Sequence, residues 1–324
     1  MSDCEAAKKG PVFIVGAPRS GTTLLQYMLR SHPVISIPSG ESHFMIPLYR
    51  DRERFGDLRQ HENIKQVLAE MYRLRQRFLD TDLPGMTFDT ELLAAELHAQ
   101  GVNTMPGIFA ALFEKNARGE GKCRWGDKTP PYTRHMPVLR EMFPEAQFVH
   151  VIRDARDCVQ SMLRRKYDLG TYNTCTAAEI WRMFVDAGQA SARAFGPDVC
   201  HELKYESLLV NPETELRRIC AFLGEEFSPD MVNFRGPSTP GKTPLLTKSL
   251  QTSNSEKWRQ TMPVRKQKLV EAVAGETLAR NGYPLVTGAR PLPALWDILY
   301  AGHNRFAWWL DHRLRLFASR FVTS

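Results

Sequence analysis

The chain has 324 residues, of which 43 are Lys or Arg and 36 are Asp or Glu, so its formal net charge is +7. This length allows a large buried core, and the excess of positive charge favours an anionic partner. The basic residues are spread along the chain, without an Arg- or Lys-rich arm and without a zinc or RNP pattern. We therefore expect an anionic small ligand rather than a nucleic acid.

The six cysteines, at positions 4, 123, 158, 175, 200 and 220, form no C-x-x-C pair. This scatter indicates a reducing compartment rather than a disulfide framework or a metal site. The ten residues before the first predicted strand do not fit a signal peptide or an anchor, and no apolar run approaches the ~18 residues of a spanning helix. We expect a cytoplasmic protein.

Residues 11–25 predict a buried strand, a turn bounded by Gly16 and Gly21, and a helix that follows at once. Backbone N–H groups in such a turn and in the first helical turn favour an anion. The glycines are spaced as in G-x-x-x-x-G-K-[ST], but Thr22 replaces the lysine and the cation comes earlier, as Arg19. The loop predicts a site for a phosphate-like group, and a ligand-free corner is the alternative.

Apolar runs predict strands at Val12–Val15, at Gln147–Ile152 and, more weakly, at Cys200–Lys204. Cys123–Gly126 is a fourth candidate. Helical patterns follow these strands, which is typical of a three-layer α/β fold with a mostly parallel central sheet and helices on both faces.

Between about 42 and 120 the sequence changes to charged, Leu- and Met-rich helices such as Ile64–Phe78 and Thr90–Gln100. We interpret this segment as a helical insertion packed on the same core, and we expect one domain over 1–324.

The segment 233–263 is rich in Pro, Ser, Thr, Gly and Lys and lacks periodicity, so it predicts a long loop. A helix is predicted at about Val264–Asn281, and Gly282 fits its C-cap.

A second cluster of polar residues begins where the strand at 147–152 ends. Arg153 leaves the carboxyl end of that strand, the edge at which open α/β sheets bind ligands, and Ser161 lies about two helical turns further on. An arginine fork and a hydroxyl together suit a phosphate. The alternative is a local ion pair of Arg153 with Asp154 or Asp157, and a serine on the helix surface.

These motifs resemble those of sulfotransferases that use 3′-phosphoadenosine 5′-phosphosulfate (PAPS). The run from Arg19 to Thr23 is similar to their 5′-phosphosulfate loop, and Arg153 with Ser161 is similar to their 3′-phosphate motif. Lys204–Leu209, followed by Asn211-Pro212, resembles their Y-E-x-L…P segment. The resemblance covers about residues 11–225.

The resemblance implies a P-loop-like enzyme that moves a sulfuryl group from PAPS to a hydroxyl and releases 3′-phosphoadenosine 5′-phosphate (PAP), with no metal required. It implies 5′-phosphosulfate contacts from Arg19, Ser20, Gly21, Thr22 and Thr23, 3′-phosphate contacts from Arg153 and Ser161, and Tyr205 near the adenine. Arg19 in place of lysine resembles the bacterial and Golgi-type branch, which includes tyrosylprotein sulfotransferases. Leu24 stands where the cytosolic aryl and steroid branch has a tryptophan.

Sulfuryl transfer needs a base for the acceptor proton and cations at the leaving oxygen. Glu41 resembles the glutamate base of this branch, and His43 is a rival base. Lys128 resembles a family lysine that, with Arg19, would stabilise the leaving oxygen. The alternatives are a solvated or helix-capping Glu41 and a surface Lys128 paired with Asp127.

In the loop at 233–263, Ser253, Ser255 and Lys257 loosely resemble phosphate contacts of a segment that covers the cofactor. A solvated polar loop is the alternative for each of them.

The segment 300–324 predicts an amphipathic helix at Asn304–Val322. Apolar residues recur at three- and four-residue spacings on one face, namely Phe306, Trp309, Leu310, Leu314, Phe317 and Phe321. Arginines are interleaved with them. That face is interpreted as packing on the domain or on a second subunit, as a lid over an apolar acceptor, or as resting on an anionic membrane.

The acceptor that we expect is a hydroxyl of a lipid, a glycan or a secondary metabolite, with peptide tyrosine as an alternative. A P-loop kinase or nucleotidase is a rival class, against which the absent Walker lysine counts. A degenerate nucleotide-binding scaffold is the other rival, and the intact motif set counts against it.

Overall fold

The computed structural model describes residues 9–74, 86–165, 170–234, 236 and 254–322. Within these ranges, five strands form a parallel sheet in the order β2-β3-β1-β4-β5. The strands are β1 Val12–Gly16, β2 Ile35–Ser36, β3 Arg124–Lys128, β4 Gln147–Ile152 and β5 Cys200–Lys204. β1 lies at the centre, between β3 and β4.

Helices follow the strands in the described ranges, and the predicted parallel α/β fold is confirmed. The α-helices are α1 Thr22–Arg30, α2 Met45–Arg50, α3 His61–Leu74, α4 Thr90–Ala99, α5 Met105–Gly119, α6 Met136–Met142, α7 Ala155–Arg164, α8 Thr174–Phe195, α9 Tyr205–Val210, α10 Pro212–Leu223, α11 Trp258–Thr261, α12 Val264–Arg280 and α13 Ala294–Val322. Short 3₁₀ turns occur at Arg52–Phe55, Pro130–His135 and Pro229–Met231.

The strand predictions hold, with three differences, the first being that β1 runs one residue further than expected, to Gly16. The fourth candidate strand begins one residue later than expected and runs to Lys128, because its pairing with β1 extends that far. β2 was not predicted, since a pair of residues, Ile35 and Ser36, is too short for a periodic pattern.

Contacts divide the chain into two compact units. The first unit contains 1–16, 21–151 and 188–251, and the second contains 17–20, 152–187 and 252–324. The polypeptide therefore crosses from one unit to the other and back within the turn that follows β1. A single domain over the whole chain stays a prediction.

In the first unit, the side chains of β1 alternate between two cores. Phe13 and Val15 join a cluster with side chains of α2, α3, α4 and α5, while Val12 and Ile14 join a cluster with α1 and α10. Successive residues of a strand point to opposite faces. Helices therefore cover both faces of the sheet, and the described helices of the segment 42–120 pack on one of them.

The second unit has a buried arginine at its centre. The guanidinium of Arg156 is fully buried and donates hydrogen bonds to Asp154 at 2.7 and 2.9 Å and to Glu271 at 3.0 Å. It also stacks 3.6 Å above the ring of Trp258. Glu271 in turn accepts hydrogen bonds from the backbone of 286–287. Charges buried at this depth are stable only while each keeps its partners.

Replacing Arg156 with methionine should lower the free energy of unfolding by ~3–5 kcal/mol, because two buried carboxylates would lose their counter-charge. Urea denaturation measures this change. Arg182→Met is the matched control, since Arg182 forms a half-exposed pair with Glu179 and should cost less than about 1 kcal/mol. Equal losses for the two variants would contradict the structural role of Arg156.

The cysteines depart from expectation at one residue. Cys158, Cys175, Cys200 and Cys220 are buried thiols. Cys123 is disulfide-bonded, which the expected reducing compartment did not anticipate, and the reducing compartment itself stays a prediction. The cytoplasmic location stays a prediction.

The carboxyl-terminal helices extend what the sequence predicted. α12 ends at Arg280 and is followed by Gly282 in the left-handed region, with φ of 72°, as a helix C-terminus prefers. α13 begins ten residues before the predicted Asn304. Over the part of the chain that the structure describes, no helix is long and apolar enough to cross a membrane.

Candidate active site

The turn after β1 has a backbone that restricts which residues it can contain. Arg19 and Gly21 have φ of 72° and 99°, both in the left-handed region. A Cβ added to Gly21 would lie 2.2 Å from Cδ2 of the buried Tyr205, so glycine alone fits there. Tyr205 therefore packs on this turn, and its predicted contact with an adenine stays a prediction.

Hydrogen-bond donors in this turn suit an anion. Ser20 is fully buried, and its Oγ has no hydrogen-bond partner among the described residues. α1 begins at Thr22, and within the described ranges no side chain caps its amino terminus. The first amides of a helix have no intrahelical acceptor. The buried hydroxyl of Ser20, in the second unit, and the uncapped start of α1, in the first unit, are each suited to an anion.

In the second unit, three predicted site residues meet. Nε of Arg19 donates to Oγ of Ser161 at 2.9 Å, and Arg153 donates to the carbonyl of Arg19 at 3.4 Å. Arg153 also donates to Asp157 at 3.4 Å and to the carbonyl of Asn254 at 2.6 Å. The local ion pair that was the alternative reading is therefore present together with the predicted grouping.

In the first unit, Glu41 lies between a lysine and a histidine. Its Oε1 accepts a hydrogen bond from Nζ of Lys128 at 2.6 Å, and its Oε2 lies 2.9 Å from Nε2 of His43. Burial would raise the pKa of Glu41, but the hydrogen bonds and charges of His43 and Lys128 outweigh it and lower the pKa to about 2. Lys128 is buried and pairs with Glu41, so its alternative reading as a surface lysine paired with Asp127 is wrong.

The loop that carries Glu41 is fixed from two sides. The buried Gln26 of α1 donates to the carbonyl of Gly40 at 3.3 Å. On the other side, the N–H of Ser42 donates to Oγ1 of Thr129 at 2.9 Å, and the Ser42 hydroxyl lies 2.9 Å from the Tyr132 hydroxyl. These contacts orient the carboxylate of Glu41 toward Lys128.

Sequence analysis missed these supporting residues. Gln26 could have been found from the sequence. It lies one helical turn after Thr22, on the same buried and mostly apolar face of α1. Ser42, Thr129 and Tyr132 gave no such signal, since their partners are distant in sequence.

The predicted covering loop is described only in part. Ser253 lies outside the described residues. Lys257 immediately precedes Trp258, whose N–H donates to Oδ1 of Asp157 at 2.9 Å. This bond ties the start of α11 to α7, and the phosphate contacts of Ser253, Ser255 and Lys257 stay predictions.

Asp127 is a second buried carboxyl, next to Lys128. Burial raises its pKa from 3.8 to about 6, and the nearby polar groups of Thr129 and Ser42 and the charge of Lys128 offset this rise only in part. A carboxyl whose pKa is higher in the folded than in the unfolded chain binds more protons when folded between these two values. Ionisation of Asp127 therefore lowers the free energy of unfolding as the pH rises.

The free energy of unfolding should accordingly fall between about pH 4 and pH 6 by up to ~3 kcal/mol through Asp127 and stay level above that range. In Asp127→Asn this fall in the free energy of unfolding disappears, because asparagine does not ionise. Urea midpoints at pH 4.5 and 7.5 measure the difference. Asp198→Asn, at an exposed site, should keep the wild-type pH dependence. An unchanged dependence in Asp127→Asn would contradict the elevated pKa.

A parallel sheet whose central strand runs into a glycine-bounded turn at a helix amino terminus is typical of phosphate-binding α/β proteins. Within that class, residues 11–229 match the model of the sulfotransferase family. The chain belongs to the sulfotransferase family.

Two relatives agree with this assignment. The chain is 28% identical to a protein-tyrosine sulfotransferase of Drosophila melanogaster over 65% of this chain and 37% of the fly protein. It is 30% identical to protein-tyrosine sulfotransferase A of Caenorhabditis elegans over 65% of this chain and 49% of the worm protein. The chain thus spans about half or less of these relatives.

A sulfotransferase domain from the curacin biosynthetic pathway has a similar fold. Its TM-score is 0.57 at 21% identity, over 86% of this chain and 99% of that domain. This likeness supports the α/β architecture.

Proposed function

We propose that this protein transfers a sulfuryl group from PAPS to a hydroxyl acceptor and releases PAP. The main support for the proposal is the grouping of Arg19 with Ser161 and Arg153. Arg19 supplies a cation at a position of the turn where a Walker sequence has none. Family membership supports the same reaction class.

The proposed donor contacts follow the chemistry of the residues. The amides at the start of α1 and the buried hydroxyl of Ser20 would bind the 5′-phosphosulfate. The guanidinium of Arg153 would bind the 3′-phosphate, with Ser161 as a hydroxyl partner. Forked arginine hydrogen bonds and helix amino termini are common phosphate ligands.

The donor supplies an activated sulfuryl group, and the protein handles the proton and the charge. Glu41 would take the proton of the acceptor hydroxyl while the oxygen of that hydroxyl bonds to sulfur. Lys128 and Arg19 would donate hydrogen bonds to the bridging oxygen, which gains negative charge as its bond to sulfur breaks. Stabilising charge where it develops is commonly a large part of catalysis.

The low pKa of Glu41 has a consequence for this step. A carboxylate with a pKa of about 2 is a weak base, and Lys128 is one cause of that value. If Lys128 turns from Glu41 to the transferring group, burial of Glu41 is less opposed and its pKa rises toward a range suited to accepting a proton. Donor binding would thereby activate the base.

Within the described ranges, no group of three or more His, Cys, Asp or Glu side chains is arranged to hold a metal ion. The metal-free reaction stays part of the proposal, as does the cytoplasmic location.

Two acceptor classes are proposed. The first is a hydroxyl of a lipid, a glycan or a secondary metabolite. The second is peptide tyrosine, which the names of the relatives favour. Transfer of labelled sulfate from PAPS to host lipid, glycan and small-molecule extracts and to a tyrosine peptide, followed by mass spectrometry, would identify the acceptor.

PAP should raise the thermal midpoint of the protein, whereas ATP with Mg²⁺ should not.

Arg153→Ala should weaken PAP binding roughly 30-fold or more, because the 3′-phosphate loses its main counter-charge. Isothermal titration measures the affinity. Arg217→Ala, at an exposed pair with Glu213, should bind PAP as the wild type does. Stabilisation by ATP with Mg²⁺ but not by PAP would favour a kinase or nucleotidase instead.

Glu41→Gln should lower the rate of transfer from labelled PAPS by about 10²- to 10⁴-fold, because glutamine keeps the shape but cannot accept the proton. PAP affinity should change little. His43→Gln, tested in parallel, should be far less impaired. A nearly normal rate in Glu41→Gln with a strong loss in His43→Gln would move the base to His43.

A further inference from the structure

α13 is attached to the second unit by its polar side. The Asn304 side chain accepts a hydrogen bond from the N–H of Tyr172 at 2.7 Å and donates to the carbonyl of Gly170 at 2.9 Å. Asp311 accepts a hydrogen bond from the Tyr172 hydroxyl at 3.0 Å, and the carbonyl of Tyr300 accepts one from Asn173 at 2.9 Å. These contacts fix which side of α13 faces the protein.

The residues on this attached side form what we call the docked stripe. It consists of Tyr300, Asn304, Ala307 and Asp311, all partly buried. At about 100° per residue, these four positions fall within roughly 60° of one another on the helix. Several described side chains on the remaining circumference of α13 are exposed.

Opposite the docked stripe, α13 presents apolar side chains to solvent. Six of them lie within roughly 120° of one another at this helical spacing, and we call them the apolar face. They are Leu295, Ile298, Leu299, Phe306, Trp309 and Leu310, with exposed fractions from 42% to 69%. This overturns the reading in which Phe306, Trp309 and Leu310 pack on the domain. Exposed apolar side chains that share one side of a helix indicate an interaction surface.

The charges beside the apolar face are positive. Arg305 and Arg313 are exposed, and the Arg313 guanidinium lies 4.7 Å from the centre of the Trp309 ring. By helical spacing, positions 297 and 311, which hold the aspartates between Ala294 and Arg313, fall on the side of the docked stripe. In the described part of α13, Arg305 thus borders the apolar face, Arg313 lies at its carboxyl-terminal end, and neither aspartate position lies on it.

The combination of apolar side chains and arginines distinguishes between two possible partners of the apolar face. A second copy of the chain placed against the same face would bring arginines of one copy near arginines of the other. No carboxylates on that face would neutralise them. An anionic lipid surface accepts both features, because aromatic and aliphatic side chains enter the boundary between headgroups and acyl chains while arginines contact lipid phosphates.

We infer that the apolar face of α13 docks on the surface of an anionic membrane, with the helix axis parallel to the surface. This inference does not depend on the sulfotransferase reaction, and its test reads membrane binding alone.

The full chain should sediment with vesicles of phosphatidylcholine and phosphatidylglycerol at 3:1, and only weakly with phosphatidylcholine alone. The double variant Phe306→Glu, Trp309→Glu should lose at least ~10-fold in affinity, since it places negative charge on the face that enters the membrane. Glutamate is a good helix former, so α13 should persist, as circular dichroism can verify. Leu92→Glu is the matched control, because Leu92 is a leucine exposed to 72% on α4, and it should bind as the wild type does.

Removing the arginines tests the electrostatic half of the inference. Arg305→Gln with Arg313→Gln should weaken binding to anionic vesicles about 20- to 30-fold, at about 1 kcal/mol for each arginine near the surface, and should leave weak binding to neutral vesicles unchanged. Added salt should reduce the wild-type affinity toward that of the variant.

Three results would overturn the inference. The first is the absence of vesicle binding by a monomeric wild type. The second is equal binding to neutral and anionic vesicles. The third is a concentration-dependent dimer in sedimentation velocity that the Phe306→Glu, Trp309→Glu variant abolishes, without vesicle binding, which would assign the apolar face to a second copy.

Discussion

β1 is buried on both of its faces and paired on both of its edges, and this constraint determines the turn that follows it. The chain has to leave the centre of the sheet and enter α1 between Gly16 and Thr22, with left-handed backbone at Arg19 and Gly21. The ring of Tyr205 occupies the space that a side chain at Gly21 would need. The backbone of the turn is therefore restricted at Gly21, where only glycine fits.

The pair formed by Glu41 and Lys128 links binding to chemistry. In the structure, Lys128 and His43 hold the pKa of Glu41 at about 2, although burial alone would raise it. The same lysine is the cation proposed for the transferring group. A base that gains strength only when its partner turns to the donor would avoid transfer before the donor is bound, and the surrounding hydroxyls of Ser42, Thr129 and Tyr132 keep the loop of Glu41 in place for that exchange.

α13 inverts the usual arrangement of an amphipathic helix. Its attachment relies on hydrogen bonds that Asn304 and Asp311 accept from Tyr172, while Phe306, Trp309 and Leu310 are exposed. In a helix that served only the stability of this protein, the apolar side would be the one that packs, since burial of apolar area is the main favourable term in folding. A membrane-docking role accounts for the inversion.

The sequence by itself determined the local features. The strand, the glycine turn and the start of α1 are contiguous, so their anion-binding geometry could be predicted from residues 11–25, and strand ends such as Arg153 could be predicted from periodicity. The tertiary structure alone decided the contacts between distant residues. Glu41 and Lys128 are 87 positions apart, and the partners of Arg156 include Glu271, 115 positions away. The spacing in α13 also showed that an apolar face exists, but which side of the helix docks depends on Tyr172 and Gly170. Local backbone preferences act within a few residues, whereas ion pairing, burial and the pKa values that they shift depend on which parts of the chain the fold brings together.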